Sequence, residues 1–330
     1  MNFNVELLEK LVSVYGPSGD ESLISATIRQ EIGGYVDEVT TDALGNLIAR
    51  KKGDGKKIMV SAHMDQIGFI VTDIDKEGFL RFGNIGGISP DISLSQRVIF
   101  KNGTVGAIFS EPLDKPSERK LENMYIDIGA KDREEAEKMV SVGDMCIYYS
   151  PFSHNENVLF PPYLDDRVGC FVAIEALKRI TTTENDIYFV FSVQEEVGLR
   201  GAKTAAYGIE PDFGIAVDVT AHGDTPKAKR FAIGLHKGAA IKVKDNSIIT
   251  HPSVRNSLID IAKAKGIAYQ LEVLEFGGTD SGAIHVTKTG VPSGVISIPT
   301  RYVHSTVEMA SKEDIESSIS LLEGYLSKKL

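Results

Sequence analysis

Ile187-Tyr188-Phe189-Val190-Phe191-Ser192-Val193-Gln194-Glu195-Glu196 runs from an unbroken apolar stretch directly into two carboxylates. Aromatic and β-branched residues in succession fit a strand. Such a run without polar alternation fits an inner strand covered on both faces, as in a parallel sheet flanked by helices. The stretch therefore predicts an α/β protein. It also carries a chemical implication, because in open α/β sheets ligands gather beyond the carboxyl ends of the strands. Neighbouring residues on an extended backbone point to opposite sides. One of Glu195 and Glu196 is then free to hold a cation while the other faces a reacting water.

Outward from this strand the pattern repeats. Further strands are expected over 58–62, 213–217 and 295–298, and helices over 165–180, 252–265 and 312–328. Gly266 is the expected stop of the second of these helices, and Ser311 with Asp314 reads as a capping box for the third. Near the start, Leu7, Leu8, Leu11 and Val14 recur at helical spacing, Gly16-Pro17-Ser18-Gly19 makes a turn, and Asp20 is expected to cap a second helix carrying Leu23, Ile24 and Ile28. Alternating strands and helices predict a mostly parallel mixed sheet with helices on both faces. Between 71 and 162 the character changes to short apolar runs separated by turns, with one helix over 132–140. Asn102-Gly103 between two apolar runs predicts a hairpin. The expected plan is one catalytic domain from 1–70 and 163–330, interrupted by a small β-rich domain over 71–162.

The formal net charge of −10 argues against nucleic acid and anionic membrane surfaces as partners, since both need clustered positive charge. An apolar content of 42% with 25% charged residues is ordinary for a soluble globular chain. Cys146 and Cys170 do not make a disulfide framework and fit a reducing compartment. Glu6, Glu9 and Lys10 interrupt the first apolar segment, so neither a signal peptide nor a membrane span is expected, and the protein reads as cytoplasmic.

The residues just past each buried strand decide the chemistry. His63 and Asp65 come after the strand over 58–62, Glu195 and Glu196 after the quoted one, Asp218 after the strand over 213–217, and His304 after the strand over 295–298 and a short loop. Asp165 stands at a helix start. Imidazole and carboxylate donors suit zinc, manganese or cobalt. Asp65 is expected to accept the second ring N–H of His63. Each residue also has a plainer role open to it: a surface turn for His63-Met64-Asp65, a solvated helix start for Glu195-Glu196, a cap for Asp165-Asp166 and a turn for Asp218. Their convergence on one sheet edge favours a metal centre. No His-Glu-x-x-His, phosphate loop or Gly-x-Ser-x-Gly elbow is present.

Ala62-His63-Met64-Asp65, Leu164-Asp165-Asp166-Arg167-Val168-Gly169, Gln194-Glu195-Glu196-Val197-Gly198-Leu199-Arg200-Gly201-Ala202 and Val217-Asp218-Val219 occur in this order. Phe276-Gly277-Gly278-Thr279-Asp280-Ser281-Gly282-Ala283 and Arg301-Tyr302-Val303-His304-Ser305 complete the set. Together they resemble the tetrahedral (TET-type) aminopeptidases, glutamyl and deblocking aminopeptidases among them, over nearly the whole chain. The resemblance implies a zinc-exopeptidase-like fold and two divalent ions per subunit, zinc first, with cobalt or manganese as substitutes. His63 and Asp218 would hold one ion, Glu196 and His304 the other, and Asp165 would bridge them. Glu195 would be the general base and Asp65 would orient His63. It further implies peptide substrates, a dimerising role for the β-rich insertion, and assembly of dimers into a hollow dodecamer. One departure is Gln66, where the family often has Glu. Paired carboxylates also serve endoglucanase-type glycosidases. That reading, an inactive metal-binding scaffold, and a carboxypeptidase or dipeptidase with a similar core stay open on the residues alone.

Overall fold

The computed structural model describes residues 3–228 and 231–329. The sheet runs in the spatial order Glu38–Thr41, Leu47–Lys51, Asp186–Ser192, Lys57–His63, Phe213–Thr220, Ser293–Arg301, Ala239–Lys244, Tyr269–Val273, with the short strands Val158–Leu159 and Met309–Ser311 attached through Ser293–Arg301. The four central strands are parallel, and antiparallel pairs lie toward the edges. This is the expected α/β architecture with a mixed sheet. In register, Ser192 lies opposite His63 and Asp218 opposite Ser297, so the chemistry-bearing ends open on one rim.

Alternation explains why the quoted run is apolar throughout. Ile187, Phe189 and Phe191 pack with Val60, Val217 and Ile296 under the helices Leu164–Arg179 and Lys312–Leu326, whereas Val190 and Met59 face the helices Arg200–Ile209 and Ser281–Ile284 on the other side. The inserted region closes into a barrel of Gly68–Ile74, Leu80–Ile85, Met124–Asp127, Val105–Ser110, Arg97–Phe100 and Met145–Tyr148, with its own core around Phe69, Tyr148 and Ile126. Arg97–Phe100 and Val105–Ser110 form the expected hairpin, with Gly103 at a positive φ in its turn.

Several local expectations fail for identifiable reasons. The helix Ser22–Ile32 starts after Glu21 without a side-chain cap, because the Asp20 carboxylate is engaged by Lys101 of the barrel at 2.7 and 2.8 Å. Ser311 does precede Lys312–Leu326, but no capping box forms. Asp314 accepts the amides of His236 and Gly238 instead, at 2.7 and 2.6 Å. The strand expected to end at 217 continues to Thr220, which places Asp218 within a paired strand. The helix Pro252–Lys265 does stop at Gly266, whose φ of +65° suits glycine. Cys146 and Cys170 are buried free thiols. Among the described residues no helix is long and apolar enough to cross a membrane.

Candidate metal centre

At the carboxyl rim of the central strands, His63, Asp165, Glu195, Glu196, Asp218 and His304 line one cavity of about 610 Å³. His63 ends the strand Lys57–His63, and Asp218 sits in the neighbouring Phe213–Thr220. Glu195 and Glu196 leave Asp186–Ser192 on a loop, and His304 lies on the loop after Ser293–Arg301 with a φ of +64°. Asp165 and Asp166 have non-helical backbone, so the helix proper begins at Arg167. The Asp166 carboxylate takes the cap, accepting the Gly169 amide at 3.0 Å. That leaves the Asp165 side chain free to face the cavity.

The two oxygens of Asp165 address two different histidines. Oδ1 lies 3.0 Å from His63 Nε2, and Oδ2 lies 3.1 Å from His304 Nε2. Around the first histidine, Glu195 Oε2 and Asp218 Oδ1 each stand 3.9 Å from Nε2. Around the second, Glu196 Oε1 lies 3.2 Å away, yet that buried oxygen makes no aligned hydrogen bond. Asp166, absent from the expected ligands, also offers an oxygen within 4.8 Å of a ring nitrogen of His63 and a carboxylate oxygen of Asp218, and its Oδ2 has no hydrogen-bond partner.

The electrostatics of this cluster call for cations. Burial pushes Glu195, Asp218 and Asp166 well above the usual carboxylate range, and neighbouring carboxylates push the same way. Burial should depress His63, but Glu195, Asp165, Asp65 and Asp218 outweigh it and hold the ring well above its ordinary value. Burial is outweighed at His304 too, where Asp165 and Glu196 raise the ring to about 12. Three buried carboxylates (Asp165, Asp166 and Asp218) and two half-buried ones (Glu195 and Glu196) around two imidazoles, with acceptor atoms left unpaired, form a donor set that fits divalent ions.

Asp65 departs from expectation in one respect. His63 Nδ1 pairs with the Asp65 backbone carbonyl at 3.2 Å, whereas the carboxylate is 3.6 Å away, beyond hydrogen-bond length. The carboxylate instead accepts Ser18 Oγ at 2.6 Å and the amides of Glu195 and Glu196 at 3.0 and 3.2 Å. Asp65 thus fixes three cavity residues, one through its backbone and two through its side chain. Gln66, the departure from the family pattern, accepts from the buried guanidinium of Arg167, which also donates to the carbonyls of Leu11 and Val14 at 2.6 and 3.0 Å.

Sequence reasoning missed three buried groups. Asp280 accepts the hydroxyls of Ser61 and Ser192 at 2.6 and 2.5 Å, tying the two central strands together beneath the centre. It lies in a motif already quoted, with no role attached. Lys242 lines the cavity together with Leu199, Leu274 and Phe276, its ammonium 2.9 Å from Glu272 and 3.2 Å from Asp245. Glu308 accepts the Asp165 amide at 3.0 Å and the His304 amide at 2.7 Å. Burial and the charge of Asp165 raise Glu308 to about 8, against the pull of those two amides.

The family model described as M42 glutamyl aminopeptidase matches residues 45–321. The chain belongs to the M42 glutamyl aminopeptidase family. Like other members of the family, it is an aminopeptidase, a hydrolase of peptide bonds. A protein of Acetivibrio thermocellus, provisionally named an aminopeptidase, is 54% identical over 318 residues and covers 96% of each chain. The lysyl aminopeptidase of Pyrococcus furiosus is 37% identical, with 98% of this chain and 96% of that protein covered. The structure of the Pyrococcus horikoshii TET1 peptidase, described as able to assemble into a tetrahedron or a large octahedral shell, superposes with a TM-score of 0.87 at 34% identity and covers 99% of each chain.

Proposed function

We propose that this M42 aminopeptidase works with two divalent ions, His63 and Asp218 holding one, Glu196 and His304 the other, and Asp165 bridging them. The observation that carries the reading is the Asp165 carboxylate, whose two oxygens point at two histidines from different parts of the fold. Zinc is the first choice, and cobalt or manganese would satisfy the same donors. When bound, the pair supplies Lewis acidity for the scissile carbonyl and lowers the pKa of the attacking water.

The protein's own groups then have distinct tasks. Glu195 is the general base: it takes the water proton and hands it to the leaving amine. Its burial favours holding that proton between the two steps. Asp65 keeps the Glu195 and Glu196 amides in place and orients His63 through its carbonyl. The free amine of an N-terminal residue would sit among the carboxylates, with its side chain toward Leu199, Leu274, Phe276 and Lys242. The catalytic domain comprises 1–67 and 149–330, since the barrel's first strand already begins at Gly68 and Val158–Leu159 joins the large sheet, where boundaries at 70 and 163 were expected. The barrel over 68–148 serves dimerisation, and dimers assemble further, by analogy with the shells of the TET1 peptidase. Peptides are the substrates, and the compartment is the cytoplasm.

The test is activity on a panel of aminoacyl p-nitroanilides before and after chelation. The expected result is turnover that EDTA abolishes and zinc or cobalt restores, with two equivalents bound per chain. Chelator-resistant turnover would remove the metal reading. No release from any free-amine substrate by the metal-loaded enzyme would remove the exopeptidase one.

A further inference from the structure

The two expected halves of the centre are supported by different kinds of backbone. His63 and Asp218 stand in paired strands, whose ladders fix them. Asp165 has φ/ψ of −75°/108° at a helix start, outside the helical ladder. His304 lies on a loop with a left-handed backbone, a conformation that non-glycine residues hold only where their surroundings impose it. What imposes it here is Glu308. The residue directly precedes the strand Met309–Ser311, which pairs back onto Thr300 and Arg301 and so gives Glu308 a rigid foot. Its carboxylate is buried, with Oε2 accepting the Asp165 amide at 3.0 Å and Oε1 the His304 amide at 2.7 Å. A second tether, His304 Nδ1 to the Gly87 carbonyl at 2.8 Å, fixes the ring but not the backbone.

We propose that Glu308 is the positioning residue for the Glu196/His304 half of the centre, a carboxylate clamp that sets two ligand backbones at once. The inference rests on the two-ion reading above. His63 and Asp218 stand in paired strands that Glu308 does not touch, so the His63/Asp218 half depends on the clamp less, Asp165 being the one clamped ligand the two halves share. Gln in place of Glu308 has a single acceptor oxygen and must release one amide. Ala releases both.

The experiment is stepwise titration of metal-free protein with Co²⁺, followed by calorimetry and by the visible spectrum of the bound ion. For the wild-type chain two equivalents are expected. In both Glu308→Gln and Glu308→Ala the first equivalent should bind as in wild type. The second should weaken by about 10- to 100-fold, the usual effect of removing a group that supports a metal ligand. If the Ala variant does not fold, the Gln variant, which keeps the side-chain volume, decides the matter alone. Unchanged second-site affinity, or equal weakening of both sites, overturns the proposal. Fewer than two equivalents in the wild-type protein would instead bring down the two-ion reading, and the clamp proposal with it.

Discussion

The His63/Asp218 half and the Glu196/His304 half of the candidate centre present similar donors on dissimilar supports. The His63 side chain is 2% exposed and that of His304 is 30% exposed. One half is built into the parallel ladder, where register places the ligands and the Asp65 carbonyl orients the His63 ring. The other is built on loops and depends on carboxylates that never meet the cavity: Asp65 beneath Glu196, Glu308 beneath His304. A strand delivers a side chain to a defined place without help, whereas a loop delivers one only if its own backbone groups are satisfied elsewhere. The centre is therefore expected to assemble unequally.

The largest expected effect separates chemistry from holding. In Glu195→Gln both halves keep their ligands, so metal stoichiometry should stay at the wild-type value while turnover falls by about 10²- to 10⁴-fold, the range for loss of a general base. Steady-state rates with metal analysis on the same sample decide it. Wild-type turnover would remove Glu195 from its role, and loss of metal would mean that it also helps to hold the ions.

Asp65→Asn sharpens the contrast between the halves. The backbone carbonyl that holds His63 survives this change, but one carboxylate oxygen becomes an NH₂ group facing a donor. The weaker of the two metal-binding steps should lose about 10- to 100-fold in affinity while the tighter one is little changed. Equal loss in both steps would show that the halves are not separately supported.

The same division explains what could be read in advance. His63, Asp65, Glu195, Glu196 and Asp218 announce themselves because each lies within or just beyond a strongly apolar strand. The central parallel strands and the barrel's hairpin were legible for a similar reason: period and turn chemistry are local. The strands Glu38–Thr41 and Ala239–Lys244 were not. The first is mostly exposed, and the second carries Lys242 and Lys244 in an otherwise apolar run, so neither shows a clean period. Asp20 and Ser311 misled because the groups that win each side chain or position come from distant segments. Glu308 gave no signal at all. It acts on backbone amides, and any residue type supplies those.

The smallest effect concerns the loop that carries the base, and it is read through stability. Glu21 is buried where it accepts the amides of Gly19 at 2.7 Å and Gln194 at 3.2 Å, the latter one residue before Glu195. Burial raises its carboxyl to about 7, with Asp65 pushing the same way and the amides opposing. A folded-state pKa above the unfolded value means that the native protein binds the proton more tightly. The stabilising contribution is thus complete below about pH 4.5 and is lost as pH rises through about 7. Gln mimics the protonated acid and does not titrate. Between pH 5 and 7.5, wild-type protein should lose about 1–2 kcal/mol relative to Glu21→Gln, less than the full shift allows because the site is not wholly shielded from water. Denaturant midpoints of the two metal-free proteins across that range measure it directly, since pH effects common to both cancel in the difference. Parallel curves would mean that Glu21 stays ionised when folded. The base-bearing loop would then rest on a charged anchor, as the Asp65 and Glu196 pairing does, and the loop-held half would owe none of its pH sensitivity to this residue.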